Sequence, residues 1–136
     1  MQQHYVLSHH DAMRILDALR SELDRRSQGA AVAISDEHGE LIALIRTDGC
    51  PLPSLHNAIH KAFTAAREGV PSGVVGHRAR AEGWAITNFG DPRYTGWGGG
   101  VPIRYNGQVV GAVGVSGLPE AEDVELAEMG VRLVGN

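Results

Sequence analysis

A hairpin signal between residues 101 and 116 decides how the fold of this chain is interpreted. The stretch reads VPIRYNGQVVGAVGVS and places Asn106-Gly107 between two runs rich in β-branched residues. Asn-Gly is typical of a two-residue hairpin turn, because both residues tolerate the positive φ angles that such a turn requires. The segment therefore predicts two antiparallel strands, residues 101–105 and 108–116, joined by a tight turn.

A second hairpin is predicted nearer the N-terminus. Residues 31–35 and 41–46 are short apolar runs, and the polar loop between them contains Gly39. Two such runs separated by a short glycine-containing loop are typical of antiparallel strands. Residues 84–87 are interpreted as a further short strand, and residues 72–82 as a weakly helical segment.

Three amphipathic helices are predicted around these strands. The first is capped by Ser8 and ends near residues 27–29 with Gly29 as its C-cap, the second covers residues 55–68 behind a Ser54 cap, and the last covers about residues 120–133. Apolar residues of the first helix recur at helical spacing: Ala12, Ile15, Leu16, Leu19 and Leu23. The order α-ββ-α-loop-ββ-α predicts an α+β fold, an antiparallel sheet with helices packed on it.

Composition limits the possible functions. A chain of 136 residues with 43% hydrophobic residues suits one domain over residues 1–136. The net charge of −4, with scattered basic residues, argues against a nucleic-acid interface, and no apolar run is long enough to span a membrane. The N-terminal residues lack the apolar segment of a secretion signal, and the single Cys50 fits a reducing compartment, so we expect a cytoplasmic protein.

His56 and His60 form the most suggestive pair of side chains. They are four residues apart on the second predicted helix, so both can face one metal ion or one ligand. Two imidazoles are too few for a structural zinc site, which takes four ligands, but one histidine suffices to ligate a haem iron. The same spacing also fits a helix flank that only faces solvent.

Charged residues offer a second set of candidates. Arg46, at the end of a predicted strand, and Asp48, just beyond it, can hold an anionic group or pair with each other. Arginine suits planar carboxylates such as haem propionates or an organic acid. Lys61 either adds a positive charge to such a site or is a solvated helix residue.

Glycines in the C-terminal half permit two interpretations. The run at residues 96–100 leads into a strand and not into a helix, so it is not a nucleotide-binding loop. It is either the wall of a ligand site or a plain turn. Gly111, Gly114 and Gly117 interrupt the last strand, which indicates either a pocket or a close contact with another subunit.

Several segments together resemble the GlcG/HbpS family of haem-degrading-like domains. They follow one another along nearly the whole chain: residues 31–36 with Gly39, 44–49, 61–66, 99–103, and 110–117 with Asp123. The resemblance implies a profilin-like fold that assembles into dimers or higher oligomers, and some members of the family bind haem or iron. The family's Arg, Asp and Lys positions correspond to Arg46, Asp48 and Lys61, and its glycine loop to Gly99, Gly100 and Pro102.

Two functions are consistent with these residues. The first is a small homo-oligomeric haem-binding protein, in which His56 or His60 ligates iron and Arg46 or Lys61 lies near the propionates. The second is an enzyme acting on a small carboxylate metabolite. The candidate ligand-binding residues are Arg46, Lys61, Gly98, Gly99, Gly100 and Pro102.

In the enzyme hypothesis the catalytic candidates are Arg46, Asp48 and Lys61. Arg46 would anchor the anion, and a nearby histidine or Asp48 would move a proton. The backbone amides of Gly98 to Gly100 would stabilise developing negative charge.

Overall fold

A computed structural model describes residues 1–136 as a four-stranded sheet with helices on both faces. The strands are β1 (Ala31–Asp36), β2 (Leu41–Arg46), β3 (Gly100–Tyr105) and β4 (Gln108–Ser116). The helices are α1 (His9–Arg26), α2 (Ser54–Glu68), α3 (Ser72–Glu82) and α4 (Glu120–Val131), with a 3₁₀ turn at Ile86–Phe89. None of these helices combines the length and the apolar character needed to cross a membrane.

The sheet is built from the two predicted hairpins. Its strand order is β2-β1-β4-β3, and every neighbouring pair is antiparallel. The hairpins meet through β1 and β4, where Ala31 lies opposite Ser116. Asn106 and Gly107 have φ angles of 48° and 79°, the positive values expected for the turn between β3 and β4. The predicted α+β fold class and both hairpins are confirmed.

The two faces of the sheet bury different kinds of side chain. On one face, large aliphatic residues of β1 and β4 pack against α1 and α4; Val32, Ile34, Val113 and Val115 belong to this core. On the other face, Ala31, Ala33 and Ala112 meet the alanines of α2. Because these side chains are small, α2 lies close to the sheet, and the residues along its flanks come within reach of β4 and α4.

Two helix caps differ from the sequence prediction. Helix α1 ends where predicted, at Arg26, but its C-cap is Ser27, which adopts the left-handed conformation at φ 54°, and not Gly29. A Cβ on Gly29 would lie 2.3 Å from the carbonyl oxygen of Asp48, so this glycine permits a close backbone approach. Ser54 is the first residue of α2 and makes no capping hydrogen bond; Pro53 precedes the helix.

Residues 84–87 do not form the short strand that the sequence predicted. They lead into the 3₁₀ turn at Ile86–Phe89, and the ring of Trp84 packs edge-on against Phe89 with centroids 5.8 Å apart. Residues 72–82, predicted as a weakly helical segment, form the regular helix α3.

The glycines of β4 and its C-terminal end are explained within the chain. A Cβ on Gly111 would lie 2.3 Å from the Ser35 carbonyl oxygen, and one on Gly114 would lie 2.1 Å from that of Ala58. Gly117 has a φ of 130°. These close approaches are to the chain's own backbone, so the glycines do not require a second subunit to explain them.

Candidate functional site

Lys61 is the only lysine of the chain, and its side chain is only 4% exposed. Its ammonium group donates hydrogen bonds to the Val115 carbonyl oxygen at 2.9 Å and to Asp123 Oδ2 at 3.2 Å. The alternative that Lys61 is a solvated helix residue is therefore wrong. A charge at this depth is stable only when it is paired and hydrogen-bonded.

Asp123 is the partner of Lys61, and the sequence analysis assigned it no role. It lies in the first turn of α4, and its Oδ1 accepts a hydrogen bond from the Leu118 amide at 3.1 Å. Burial raises the pKa of the Asp123 carboxyl above its usual range, although the charge of Lys61 acts in the opposite direction. The carboxylate is thus a better proton acceptor than an exposed aspartate.

The ion pair lies at a cleft of about 330 Å³ between α2, β4 and α4. Uncharged polar side chains line it, those of Ser54, Asn57 and Ser116, together with the carboxylate of Glu120. Of the predicted site residues, Lys61 and Gly98 line this cleft. The amide of Gly98 donates to Glu120 Oε1 at 3.0 Å.

The rest of the glycine loop packs against helices. A Cβ on Gly99 would lie 2.9 Å from Lys61 Nζ, and one on Gly100 would lie 2.1 Å from the Lys61 carbonyl oxygen. Ser72 Oγ accepts from the Gly100 amide at 2.9 Å and donates to the Trp97 carbonyl at 2.6 Å. Gly98 thus forms a wall of the cleft, while Gly99 and Gly100 permit close packing around Lys61.

Arg46, Asp48 and Pro102 lie apart from the cleft. Arg46 and Asp48 are both exposed and form no ion pair with each other. Arg46 pairs with Ala31, whose side chain packs toward α2, so Arg46 projects from the same face of the sheet. Pro102 lies on the edge strand β3, in a shallow depression shared with Val131.

His56 and His60 project from the side of α2 that faces away from the sheet. Their ring centroids are 6.4 Å apart, and His60 is half-buried whereas His56 is exposed. Burial lowers the pKa of His60, and the positive charges of His56 and Arg93 lower it further. The neutral imidazole of His60 is therefore favoured. No group of three or more His, Cys, Asp or Glu side chains is arranged to hold a metal ion.

An aromatic cluster packs on Phe63 of α2, and the sequence analysis did not find it. The ring of Tyr94 stacks on that of Phe89, with centroids 4.0 Å apart, and lies edge-on to Phe63 at 5.4 Å. The guanidinium of Arg93 lies over the Phe63 ring at 4.0 Å. The sequence marks this segment only as an irregular loop around Asp91-Pro92, because neither helical nor strand periodicity connects its residues.

Comparison with known proteins relates most of the chain to one family. A family model described as haem degrading protein, HbpS-like, matches residues 7–132. Protein GlcG of Escherichia coli strain K12 is 33% identical over 122 residues, which cover 85% of each protein. A solved double mutant of Streptomyces reticuli HbpS is 26% identical, with a TM-score of 0.88 over 100% of this chain and 92% of that one. A solved complex of PduOC with haem shares the fold at 22% identity, with a TM-score of 0.86 over 96% of each chain.

Proposed function

The chain belongs to the HbpS-like family, and from this premise we propose that it is a small haem-binding protein. The observation that carries the proposal is the histidine pair on the outer side of α2. His60 favours its neutral form, and neutral imidazole is the form that ligates iron. The haem named for PduOC, a protein of the same fold, supports this choice of ligand.

The residues around His60 fit the chemistry of a haem. The macrocycle is flat and apolar. The ring of Tyr94, which stacks on that of Phe89, directly follows Arg93 in sequence, and the charge of Arg93 acts on His60. The propionates are carboxylates, which guanidinium groups bind well. His60 would hold the iron of such a haem, and His56 would lie beside it. A bound haem supplies the iron centre at which small ligands or electrons are exchanged.

Arg46 is the better candidate for a propionate than Lys61. Its guanidinium is exposed on the face of the sheet that carries α2. The ammonium group of Lys61 is already engaged by Asp123 and Val115 inside the protein. Gly98, Gly99, Gly100 and Pro102 are then structural in this proposal. The amides of Gly98 and Gly100 are already bonded to Glu120 of α4 and Ser72 of α3, and Pro102 lies in β3.

A homo-oligomer is part of the proposal. A haem bound on the exposed flank of α2 would have one face against a single chain, and its other apolar face would remain in water. Burying that face against a second copy of the chain would remove apolar surface from solvent, at about 25 cal/mol per Å². We therefore propose that the protein is a dimer or larger assembly.

The small-carboxylate enzyme is less well supported. The charge of Lys61 is balanced by Asp123, and Glu120 adds a further negative charge to the cleft. An anionic substrate would be repelled there. Arg46 and Asp48, which would anchor the anion and move the proton, do not line the cleft.

Titration with haemin, followed through the Soret band at neutral pH, tests the proposal. We expect saturation at one haem per chain in the parent protein and loss of the specific band in the His56→Ala/His60→Ala variant. The matched control is His9→Ala/His10→Ala, because these rings also lie close together, with centroids 4.0 Å apart on α1. Equal spectra for all three proteins, or binding that does not saturate, would overturn the proposal.

A further inference from the structure

The chain places its only lysine at a buried cleft, and every other position of its lysines and arginines is occupied by arginine. The arginines are found mostly on exposed helix faces, in ion pairs such as that of Arg20 with Asp24. Lysine differs from arginine in that its amine can lose its proton and act as a nucleophile. The position of Lys61 is therefore the one place in the chain where amine chemistry is available from a side chain.

The ammonium group of Lys61 reaches the cleft between α2, β4 and α4. Two of its three hydrogen-bond donors are used by Val115 and Asp123, which leaves one for a ligand. The hydroxyl groups of Ser54 and Ser116 and the side-chain amide of Asn57 also line the cleft. Such groups suit a small molecule that carries hydroxyl and carbonyl oxygens.

The charges at the cleft select against anions. Lys61 and Asp123 balance each other, and the carboxylate of Glu120 is the remaining charge. A neutral ligand avoids repulsion by Glu120, and its hydroxyl groups can donate hydrogen bonds to that carboxylate. The cleft thus fits a small neutral hydroxycarbonyl compound better than an organic acid.

We propose that this cleft binds small neutral hydroxycarbonyl compounds and that Lys61 captures their carbonyl carbon as an imine. This inference is independent of haem binding, which we assign to the other side of α2. The two proposals concern different residues and are tested by different measurements.

Formation of the imine requires no reactant other than Lys61, Asp123 and the carbonyl compound. The Lys61 ammonium gives one proton to the Asp123 carboxylate, 3.2 Å away, and becomes a neutral amine. The amine lone pair forms a C–N bond to the carbonyl carbon, and a proton moves from nitrogen to oxygen to give a carbinolamine. The hydroxyl group then leaves as water with the proton held by Asp123, and the product is a protonated imine.

The surroundings of the pair favour this proton transfer. The carboxyl of Asp123 holds a proton more readily than an exposed aspartate, because burial raises its pKa. The protonated imine keeps the positive charge on the Lys61 nitrogen, so the ion pair with Asp123 is restored after water is lost. Gly99 leaves room for the amine, since a Cβ there would lie 2.9 Å from Nζ.

Reductive trapping tests the proposal with an internal reference. The variant Arg80→Lys introduces one amine at an exposed position of α3. We would treat this protein with glycolaldehyde and cyanoborohydride and follow each site by mass spectrometry of peptides cleaved at arginine. Lys61 is expected to be alkylated at least about tenfold faster than the introduced surface amine. An equal or lower rate at Lys61 would show a merely structural ion pair and overturn the proposal.

A second comparison tests the class of ligand. Glyoxylate is an aldehyde of similar size that carries a carboxylate. Normalised to the introduced surface amine, Lys61 should prefer glycolaldehyde over glyoxylate, because Glu120 repels the anion. The opposite preference would show that the cleft selects carboxylates.

Two variants distinguish a loss of reactivity at Lys61 from a loss of the fold. Asp123→Asn removes the proton acceptor and should slow the alkylation of Lys61 about tenfold or more. Asn57→Leu fills the cleft without touching the ion pair, so it remains informative if Asp123→Asn does not fold. It should also slow alkylation of Lys61 and leave the introduced amine unaffected. Unchanged rates in the folded variants would contradict the proposal.

Discussion

Gly114 of β4 lies so close to Ala58 of α2 that a Cβ on the glycine would be 2.1 Å from the Ala58 carbonyl oxygen. No side chain fits between the helix and the strand at this point. The contact sets the distance between α2 and the sheet, and therefore the depth at which Lys61 is buried on the next turn of the helix.

The substitution Gly114→Ala should destabilise the fold by about 3 kcal/mol, at the upper end of the range for overpacking a core, because backbone atoms cannot move aside. Urea unfolding measures the change. The control is Gly83→Ala, where a Cβ meets open space and only the positive φ of 75° is unfavourable, at about 1 kcal/mol. A smaller loss of stability for Gly114→Ala than for Gly83→Ala would mean that α2 can move away from β4.

Breaking the buried ion pair should be costly. Lys61→Met leaves the Asp123 carboxylate without its counter-charge in the protein interior, which costs about 3–5 kcal/mol. The double variant Lys61→Met/Asp123→Leu should lose less stability than the two single variants together, because it leaves no unpaired charge in the interior. Urea unfolding of the parent, the two single variants and the double variant measures this coupling.

The exposed pair Arg20–Asp24, with an N–O distance of 2.8 Å, is the matched control for that cycle. Replacing either partner should lower the stability by no more than about 1 kcal/mol, because the remaining charge is hydrated. Additive losses at Lys61 and Asp123 would indicate that the two groups do not stabilise each other.

The histidine variants identify the iron ligand. His60→Ala should shift the Soret maximum and weaken haem binding, whereas His56→Ala should have a smaller effect, because His56 is exposed and His60 is half-buried. The measurement is a haemin titration of each single variant. A larger effect of His56→Ala would reverse the assignment.

Haem binding should weaken as the pH falls. Protons compete with iron for the imidazole, so binding is lost as the pH falls. Because the pKa of His60 is lowered by burial and by His56 and Arg93, the loss should begin below about pH 6.5, the ordinary value for histidine. Loss of binding that begins above that pH would exclude His60 as the ligand.

Arg46→Lys tests the propionate assignment. Lysine keeps the charge but loses the two parallel hydrogen bonds of the guanidinium, so haem affinity should fall by about 1–3 kcal/mol. Arg80→Lys, an exposed arginine of α3, is the control and should leave the affinity unchanged. Equal affinities for the two variants would assign Arg46 a structural role.

Light scattering at micromolar concentration should detect a dimer or a larger species, with haem bound. Since the glycines of β4 contact the chain's own backbone, Gly114→Ala should affect stability and assembly together and not assembly alone. A monomeric haem complex would contradict the proposed burial of the second haem face.

Local patterns were sufficient to predict most of the fold. The turn at Asn106-Gly107 depends on the φ preferences of those two residues, and the structure has it as predicted. The predicted apolar stripe of α1 is buried in full: Ala12, Ile15, Leu16, Leu19 and Leu23. The strand predicted for residues 84–87 is wrong because periodicity alone cannot identify the conformation of a short apolar run; in the structure this segment leads into a 3₁₀ turn, and Trp84 packs on Phe89.

The candidate site was less predictable, because its contacts join distant parts of the chain. Lys61 and Asp123 are 62 residues apart in the sequence, and no local pattern connects them. Gly29 resembled a helix cap, whereas its role is to admit the Asp48 carbonyl. These roles are determined by tertiary packing, which the spacing of residues within one helix does not encode.

The junction between the two hairpins has a consequence for folding kinetics. Each hairpin closes a short loop, but β1 pairs with β4 although the whole central part of the chain lies between them, with Ala31 opposite Ser116. Pairings between such distant residues are formed slowly, because a long loop must be closed before any contact is gained. We expect the transition state to contain both hairpins and little of the β1–β4 ladder, so that α2, which packs across this junction, becomes ordered late.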